Sequence, residues 1–296
     1  MLINYKSLIK HYIYGEFPHM TTSIATLLYK KKLRKLYADV NRYYSEKEEY
    51  PLFTSVEIET INRCNNVCPF CPVNKNDDIR EYKKMDSVLF YKIIDNLANL
   101  DFNGTIHLFS NNEPFLDERI EEFAKYARVH VPKATIDIFT NGILLTEKRF
   151  NNIIPYIDLM YIDNYNDNLK MIIPVKKIYN MVKKRGESKK VSIHLRKYNE
   201  ILSTRGGQAP NCKDLDLPEL QIGCNKLFYQ MVIRPDGKVS LCCNDAYGTH
   251  TMGDCHSDKL EVIWQNKKYN NLRKTMMQYG RQGIGGICKN CDVITY

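Results

Sequence analysis

Apolar and polar residues between positions 51 and 204 follow two alternating patterns. Short runs rich in β-branched residues predict strands, and segments with apolar residues three or four positions apart predict helices. Strand-helix alternation is typical of a parallel sheet with right-handed crossovers, and the number of units suits a barrel or a partial barrel. The predicted strands are residues 55–60, 104–110, 134–142, 159–163 and 190–197. The predicted helices are residues 86–100, residues 117–130, a segment from about residue 146 and a basic segment before the fifth strand.

The two flanks of this region have different patterns. The first 50 residues are basic and tyrosine-rich and predict one or two helices packed outside the main domain, with apolar residues at Ile24, Leu27, Leu28, Leu33 and Leu36. Two strand-like runs surround the turn sequence RPDG at 234–237, which predicts a hairpin. We therefore expect a helical extension (1–50), a barrel (51–210) and a small C-terminal α+β domain (211–296).

Composition narrows the class of protein. The chain has ten cysteines, and its start has neither an uninterrupted apolar segment nor a small-residue cleavage site. We therefore expect a reducing cytoplasm, with thiols that bind metal or react. No stretch approaches about eighteen apolar residues, so no membrane span is predicted. The net charge of +9 favours anionic small-molecule partners. The lysine-rich runs are typical of solvated faces, and no nucleic-acid partner is predicted.

The loop sequence CNNVCPFC directly follows the first predicted strand. It places Cys64, Cys68 and Cys71 within eight residues, which is unsuitable for a disulfide framework. A structural zinc site and an ordinary iron–sulfur cluster each need four ligands. The spacing leaves two interpretations, an iron–sulfur cluster with one open iron or a zinc knuckle completed by distant cysteines. In a barrel this loop would lie at the carboxyl ends of the strands, where reactive groups are placed.

A second group of cysteines lies in the C-terminal segment. The predicted hairpin would bring Cys224 and Cys242 into one neighbourhood, and Cys288 and Cys291 can close the site from a terminal loop. Four thiolates would give a fully ligated centre. By spacing alone, zinc and an iron–sulfur cluster both remain open.

The Cys-x3-Cys-x2-Cys loop, with Phe70 before its last cysteine, resembles the radical S-adenosylmethionine (radical SAM) superfamily. The resemblance implies a partial (β/α)6 TIM-like barrel. It also implies that the three cysteines hold a [4Fe–4S] cluster whose open iron binds the amino and carboxylate groups of S-adenosyl-L-methionine (AdoMet). Reductive cleavage would give a 5′-deoxyadenosyl radical that abstracts hydrogen from the substrate. An electron donor such as flavodoxin or ferredoxin is implied.

Further residues resemble the cofactor-binding positions of this family. Asn112, Glu113 and Pro114 stand where the family often has Gly-Gly-Glu-Pro, so Glu113 is expected to bind the AdoMet amino group. An N-cap carboxylate is the alternative role for Glu113. The other expected cofactor contacts follow the third, fourth and fifth strands and are Asn141, Asp163, Asn164 and Arg196.

The C-terminal segment resembles the shortened, or twitch, form of the SPASM auxiliary-cluster extension. Gly237 stands five positions before Cys242, and a Cys-x2-Cys pair lies near the end, as in that family. The resemblance implies one auxiliary [4Fe–4S] cluster, because only five residues follow the terminal pair. Its expected ligands are Cys224, Cys242, Cys288 and Cys291.

Arg205, Cys243 and Cys255 are the candidate catalytic residues. Arg205 precedes two glycines, and similar stretches in related enzymes imply contact with the substrate or help with its deprotonation. An interdomain salt bridge is the alternative. A thiol at Cys243 or Cys255 would return a hydrogen atom to a substrate radical and give epimerisation. Ordinary burial is the alternative for both thiols and for Cys212.

The sequence thus favours a radical SAM oxidoreductase that dehydrogenates or epimerises a polar small molecule such as a sugar, aminocyclitol or glycoconjugate. The alternative enzyme is a maturase that modifies a ribosomally made peptide. Many such maturases carry a separate peptide-recognition domain, whereas the segment before this barrel is short and helical in pattern. A non-enzymatic iron–sulfur or zinc scaffold would not explain the three-cysteine loop.

Overall fold

The computed structural model describes residue 3 and residues 18–200, 202–212 and 219–294. The strands are β1 (Ser55–Ile58), β2 (Thr105–His107), β3 (Thr135–Thr140), β4 (Leu159–Tyr165), β5 (Val191–Arg196), β6 (Gln230–Ile233), β7 (Lys238–Ser240) and β8 (Thr251–Asp254). The helices are α1 (Pro18–Lys47), α2 (Ser87–Asn99), α3 (Ile120–His130), α4 (Glu147–Ile153), α5 (Ile173–Arg185), α6 (Leu260–Trp264), α7 (Lys267–Ile284) and α8 (Gly286–Lys289).

Within these residues the strands form one sheet in the order β5-β4-β3-β2-β1-β6-β7-β8. Strands β1 to β5 pair in parallel, and each is followed by a crossover, as the alternating pattern predicts. The sixth parallel strand is β6, which pairs with β1 in the register Val56 to Met231. It comes from the C-terminal segment and not from the range 51–210 in which the barrel was expected. The predicted hairpin is confirmed, because β7 pairs antiparallel with β6 and then with β8.

Helices begin where the sequence supplies caps. The Asp86 side chain accepts a hydrogen bond from the Val88 amide at the start of α2, which confirms the predicted N-cap. Thr146 caps α4 through the amide of Arg149. Helix α5 ends at Gly186, whose φ of 71° is in the left-handed region that favours glycine at a helix C-terminus.

The sheet has one apolar and one polar face, because side chains alternate along each strand. Val56, Ile106 and Ile136 are fully buried in the main hydrophobic core. On the other face, Nε2 of His107 lies 3.0 Å from the Ser55 hydroxyl and its Nδ1 lies 2.6 Å from Asp137 Oδ1. The concave side of the partial barrel is therefore polar, which suits it to hold a polar ligand.

Helix α1 shows that residues 18–47 of the N-terminal extension are helical, and it packs against the C-terminal segment. The side chain of Ile24 lies outside the described part of the chain. Leu27 and Leu28, two of the residues used to predict the helix, are 68% and 52% exposed. Leu33, which was also used to predict the helix, is buried and forms a small apolar cluster with Tyr29 and Ile222. The Tyr37 hydroxyl is 3.1 Å from both the carbonyl oxygen and the amide nitrogen of Cys224. No described helix is both long enough and apolar enough to cross a membrane.

Candidate active site

A cavity of about 310 Å³ lies at the carboxyl ends of the parallel strands. It brings together many of the side chains predicted to take part in cofactor or substrate binding. These are Cys64, Phe70, Cys68, Cys71, Asn112, Glu113, Asn141, Asp163 and Arg205. The cavity also has an aromatic wall of Phe109, Phe139 and Tyr165. Phe139 begins the stretch FTNG, which resembles a family segment near the cofactor, whereas Phe109 and Tyr165 belong to no motif in the sequence.

The three-cysteine loop is braced by Asn74. The Asn74 Nδ2 group donates to the carbonyl oxygens of Cys68 at 3.2 Å and Cys71 at 2.9 Å. Its Oδ1 accepts from the Asn76 amide at 2.8 Å, so the amide group is used on both sides. On the opposite side of the loop, Asn141 Nδ2 lies 3.9 Å from the Cys64 sulfur. Asn74 therefore holds the three-cysteine loop in place. No motif in the sequence identifies this residue, because its role depends on the direction of its side chain in the fold.

The three thiols suit a cluster. Burial raises the pKa of the Cys64 thiol to about 12 and raises that of Cys68 still further, so binding of iron must release protons. In the described part of the chain, no three His, Cys, Asp or Glu side chains are arranged to hold a metal ion. All three thiols line the large cavity, so a metal group held by them would be open to a ligand there.

Two buried polar groups at the cavity suit a polar cofactor or substrate. Asn112 Nδ2 and Arg205 Nε are buried donors without a hydrogen-bond partner among the described residues. Both residues line the cavity. An unsatisfied buried donor is costly, so a bound molecule with acceptor atoms would be stabilised here.

Glu113 joins two of the motifs at the cavity. Its carboxylate accepts from the Asn141 amide at 2.8 Å, the Thr140 hydroxyl at 2.8 Å and the Phe115 amide at 3.1 Å. The last contact caps a short 3-10 turn that begins at Pro114, so the N-cap role is real. Burial nevertheless raises the pKa of Glu113 to about 7. A cation or a strong hydrogen-bond donor that entered the cavity would favour the ionised form of Glu113.

Asp163 is held by the end of β5. His194 Nδ1 lies 2.8 Å from its Oδ1, and Arg196 Nε lies 3.3 Å from the same atom. Burial alone would raise the pKa of Asp163, but the His194 hydrogen bond and the Arg196 charge lower it. Arg196 thus positions Asp163 and is not among the described residues that line the cavity. Asn164 braces the loop after β4 by bonding to Lys170 and Ile172, and it does not line the cavity either.

Arg205 connects the cavity to the C-terminal segment. Its φ is 52°, in a turn continued by two glycines with positive φ. The guanidinium donates to Oδ1 of Asn111 and, at 3.5 Å, to Oδ1 of Asn244. No ion pair joins Arg205 to a carboxylate among the described residues, so the interdomain contact is made through amide groups.

A second, much smaller cavity of about 20 Å³ gathers the four C-terminal cysteines predicted to act together. Cys224, Cys242, Cys288 and Cys291 all line it, as the hairpin and the terminal loop require. Asn244, which contacts Arg205, lines it as well. So do Lys226 and Arg281, which the sequence argument missed because neither belongs to a cysteine motif.

The two spare thiols lie outside both cavities as far as the described residues define them. Cys255 is 2% exposed and belongs to the main hydrophobic core. Cys243 is half-buried, and its backbone carbonyl accepts from Asn111 Nδ2 at 3.1 Å. Cys212 is buried beside Ser203 and Asn211. All ten cysteines are free.

Comparison with known proteins agrees with this geometry. Residues 58–198 match the radical SAM superfamily, and residues 224–292 match the SPASM iron–sulfur cluster-binding domain. The S-adenosyl-L-methionine-dependent 2-deoxy-scyllo-inosamine dehydrogenase of Niallia circulans is 28% identical over 244 residues, which are 82% of this chain and 94% of that protein.

Solved structures show the same fold. The crystal structure of BtrN in complex with AdoMet and 2-DOIA has a TM-score of 0.71 and 26% identity, covering 82% of this chain and 94% of that one. Native anSMEcpe with bound AdoMet has a TM-score of 0.52 and 15% identity, covering 77% and 84%, which shows likeness of fold alone.

A three-cysteine loop at the mouth of a partial barrel, followed by a four-cysteine site, defines an iron–sulfur enzyme that binds AdoMet. The chain belongs to the radical SAM superfamily and carries a C-terminal SPASM iron–sulfur domain. Its cofactors are AdoMet, a [4Fe–4S] cluster that binds it and an auxiliary iron–sulfur centre.

Proposed function

We propose that the enzyme dehydrogenates a carbon bearing a hydroxyl group in an aminocyclitol or a closely similar polar small molecule. The proposal rests on the contact between Arg205 and Asn244, which connects the two cavities. Arg205 lines the large cavity, Asn244 lines the four-cysteine cavity, and their side chains are in contact. Two side chains thus separate the large cavity, in which hydrogen would be removed, from the four-cysteine cavity, whose cluster would accept the electron.

Chemical roles follow from the residues of the chain. Cys64, Cys68 and Cys71 would hold the first cluster, and Cys224, Cys242, Cys288 and Cys291 would hold the auxiliary one. When bound, these groups and AdoMet supply a radical that removes hydrogen and an acceptor for the electron that remains. Glu113, Asn112, Asn141 and Asp163 would bind AdoMet, with Phe70 and the aromatic wall packing beside it.

Arg205 would orient the substrate hydroxyl. A guanidinium is always charged in proteins, so it is a poor base and a good donor to an oxygen that develops negative charge. Its buried Nε, which has no partner in the part of the chain that the structure describes, offers one such hydrogen bond. The Arg205 cation would ease the loss of the hydroxyl proton, but it would not accept that proton.

Dehydrogenation is favoured over the other outcomes. Epimerisation needs a thiol at the substrate, and Cys243 and Cys255 are not among the described cavity residues. Peptide modification is less favoured, because the sequence likeness extends along 82% of the chain to an aminocyclitol dehydrogenase.

We propose one auxiliary cluster, as in the twitch form, because the second cavity gathers four cysteines.

We also propose the cellular setting. Ten free cysteines support a reducing cytoplasm. A flavodoxin or ferredoxin would supply electrons to the first cluster.

Product analysis tests the function. The enzyme with both clusters loaded would be incubated anaerobically with AdoMet, a reductant and 2-deoxy-scyllo-inosamine in deuterated water. We expect equal amounts of a ketone and of 5′-deoxyadenosine, the latter free of solvent deuterium because its new hydrogen comes from the substrate carbon. An inverted alcohol carrying solvent deuterium would show epimerisation instead. Formation of no product from any aminocyclitol offered, while a peptide substrate is modified, would overturn the proposal.

A further inference from the structure

Two buried cations share the four-cysteine cavity. Lys226 is 8% exposed and Arg281 is 1% exposed, and both line the cavity with Cys224, Cys242, Cys288 and Cys291. A charge removed from water is expensive unless an opposite charge or several hydrogen bonds compensate it. The partners of these two side chains therefore indicate what the site is built to hold.

Arg281 is surrounded by neutral oxygen atoms. Its Nε donates to the Gly223 carbonyl at 3.3 Å, and its two terminal nitrogens donate to the carbonyls of Cys291 and Val293. It follows Gly280, where a φ of 65° interrupts α7 and turns the chain toward residue 223. Arg281 thus ties together the segments that carry Cys224 and Cys291, and its charge is left uncompensated by these contacts.

Lys226 has a similar environment. Its Nζ lies 3.4 Å from Oε1 of Gln230, a neutral amide, and the other end of that amide donates to Glu57 at 2.7 Å. Within the described ranges, neither Lys226 nor Arg281 has a carboxylate partner at ion-pair distance.

The carboxylates near the site are already engaged. Asp245 accepts hydrogen bonds from the Thr249 amide, the Thr249 hydroxyl and the His250 amide. Asp292 accepts from the amide and hydroxyl of Thr204. Glu57 and the thiols of Cys242 and Cys243 favour the charged form of Lys226, and the thiols of Cys224 and Cys291 favour that of Arg281. Thiolates and the cluster that they bind therefore supply negative charge beside both cations.

The first cluster site has the opposite electrostatic character. Its cavity is lined by the carboxylates of Glu113 and Asp163 and, among the described residues, by one cation, Arg205. The net charge around an iron–sulfur cluster is one of the factors that set its reduction potential. Charges act strongly on one another in a poorly solvated site.

We propose that Lys226 and Arg281 are positioning residues that raise the reduction potential of the auxiliary cluster. Both cations favour the reduced cluster, which carries one more negative charge than the oxidised one. The inference rests on the proposed function, because dehydrogenation of an alcohol leaves one electron that an acceptor must take. It extends that function by assigning the electron affinity of the acceptor to two residues outside any cysteine motif.

The test is a redox titration that needs no substrate. Cys64, Cys68 and Cys71 would be replaced by Ala, so that the auxiliary cluster gives the iron–sulfur spectrum alone. Midpoint potentials would be measured by electron paramagnetic resonance for this protein and for its Lys226→Gln and Arg281→Gln variants. Lys289→Gln is the matched control, because Lys289 adjoins Cys288 but is largely exposed and paired with Glu219 at 3.3 Å.

We expect each buried-cation variant to lower the equilibrium constant for electron uptake at least tenfold, which is about 59 mV for a one-electron couple. The Lys289 variant should shift much less. Unchanged potentials in both buried-cation variants, with full iron content, would overturn the proposal. If Lys226→Gln fails to bind iron, Lys226→Arg decides: rescue of iron content and potential supports the charge role, and failure of both variants contradicts it. None of these outcomes depends on which substrate is oxidised.

Discussion

The backbone amide of Asn141 donates a hydrogen bond of 2.8 Å to the carboxylate of Glu113. The two residues follow different strands, β2 and β3, and lie 28 positions apart. The segments 111–114 (the NNEP motif) and 139–142 (the stretch FTNG) are therefore one structural unit at the edge of the cavity. A change at Glu113 should be felt both by the cofactor and by the loop after β3.

Glu113→Gln should weaken AdoMet binding. A hydrogen bond to a charged group contributes roughly 1.5–3 kcal/mol, which corresponds to about a ten- to hundredfold loss of affinity. The amide oxygen can keep the Thr140 and Phe115 contacts made at Oε1, whereas the amide NH2 would then face the Asn141 N–H that donates to Oε2. Iron content equal to that of the parent shows that the fold survives the loss of this one hydrogen bond. Calorimetric titration of the reconstituted protein with AdoMet measures the effect. Equal affinity in variant and parent would show that the NNEP motif has another purpose.

AdoMet affinity should rise with pH through the neutral range. Burial raises the pKa of Glu113 to about 7, so the carboxyl is largely protonated at pH 6 and largely ionised at pH 8. The ionised form is the better acceptor for the N–H groups of the amino nitrogen that binds the open iron, so binding strengthens as the pH rises past about 7. Repeating the titration between pH 6 and 8 tests this. The Glu113→Gln variant is the control, and a slope equal to that of the parent would rule out Glu113 as the titrating group.

Two four-iron clusters should load onto the chain. Anaerobic reconstitution should give about eight iron atoms per chain, and replacement of Cys64, Cys68 and Cys71 by Ala should halve that number. Replacement of Cys224 and Cys242 should remove the other half. Iron and zinc would be measured by mass spectrometry of the purified protein. Stoichiometric zinc in the C-terminal site would refute the auxiliary cluster.

Removal of both spare thiols should leave oxidation intact. Cys255 is buried in the main core, and Cys243 contacts Asn111 through its backbone, so neither sulfur is needed for loss of an electron. The Cys243→Ala, Cys255→Ala variant should still form the two-electron-oxidised product from a substrate that the parent accepts. If 5′-deoxyadenosine still formed and both clusters were full, but turnover stopped, a thiol would be the hydrogen donor.

Local patterns predicted the strands and the cysteine loops, because both depend on residues that are adjacent in the sequence. Val56 and Ile58 mark a buried strand, and Cys64 follows it within a few positions. Long-range features were not predictable in the same way. Pairing of β6 with β1 joins segments about 175 residues apart, and no local pattern specifies it.

Burial of charged residues is another long-range feature that the local sequence does not predict. Lys226 and Arg281 look like ordinary surface cations in the sequence, and only the fold buries them beside four thiols. Leu27 and Leu28 show the converse, because their spacing suggested a buried face and the structure exposes them. In α1 the large aromatic Tyr29 takes the buried position, with its hydroxyl group bonded to Asn225.

The contact between Tyr37 and Cys224 makes the iron chemistry of the C-terminal segment depend on a residue 187 positions earlier. The approach is so close that a Cβ on Gly223 would lie 2.2 Å from the tyrosine oxygen. A shortened chain that began at residue 51 would keep every cysteine and both matched domains. It would nevertheless leave the backbone of a cluster ligand open to water and dioxygen. We therefore expect the N-terminal helix to shield the auxiliary cluster and to determine how long it survives in air.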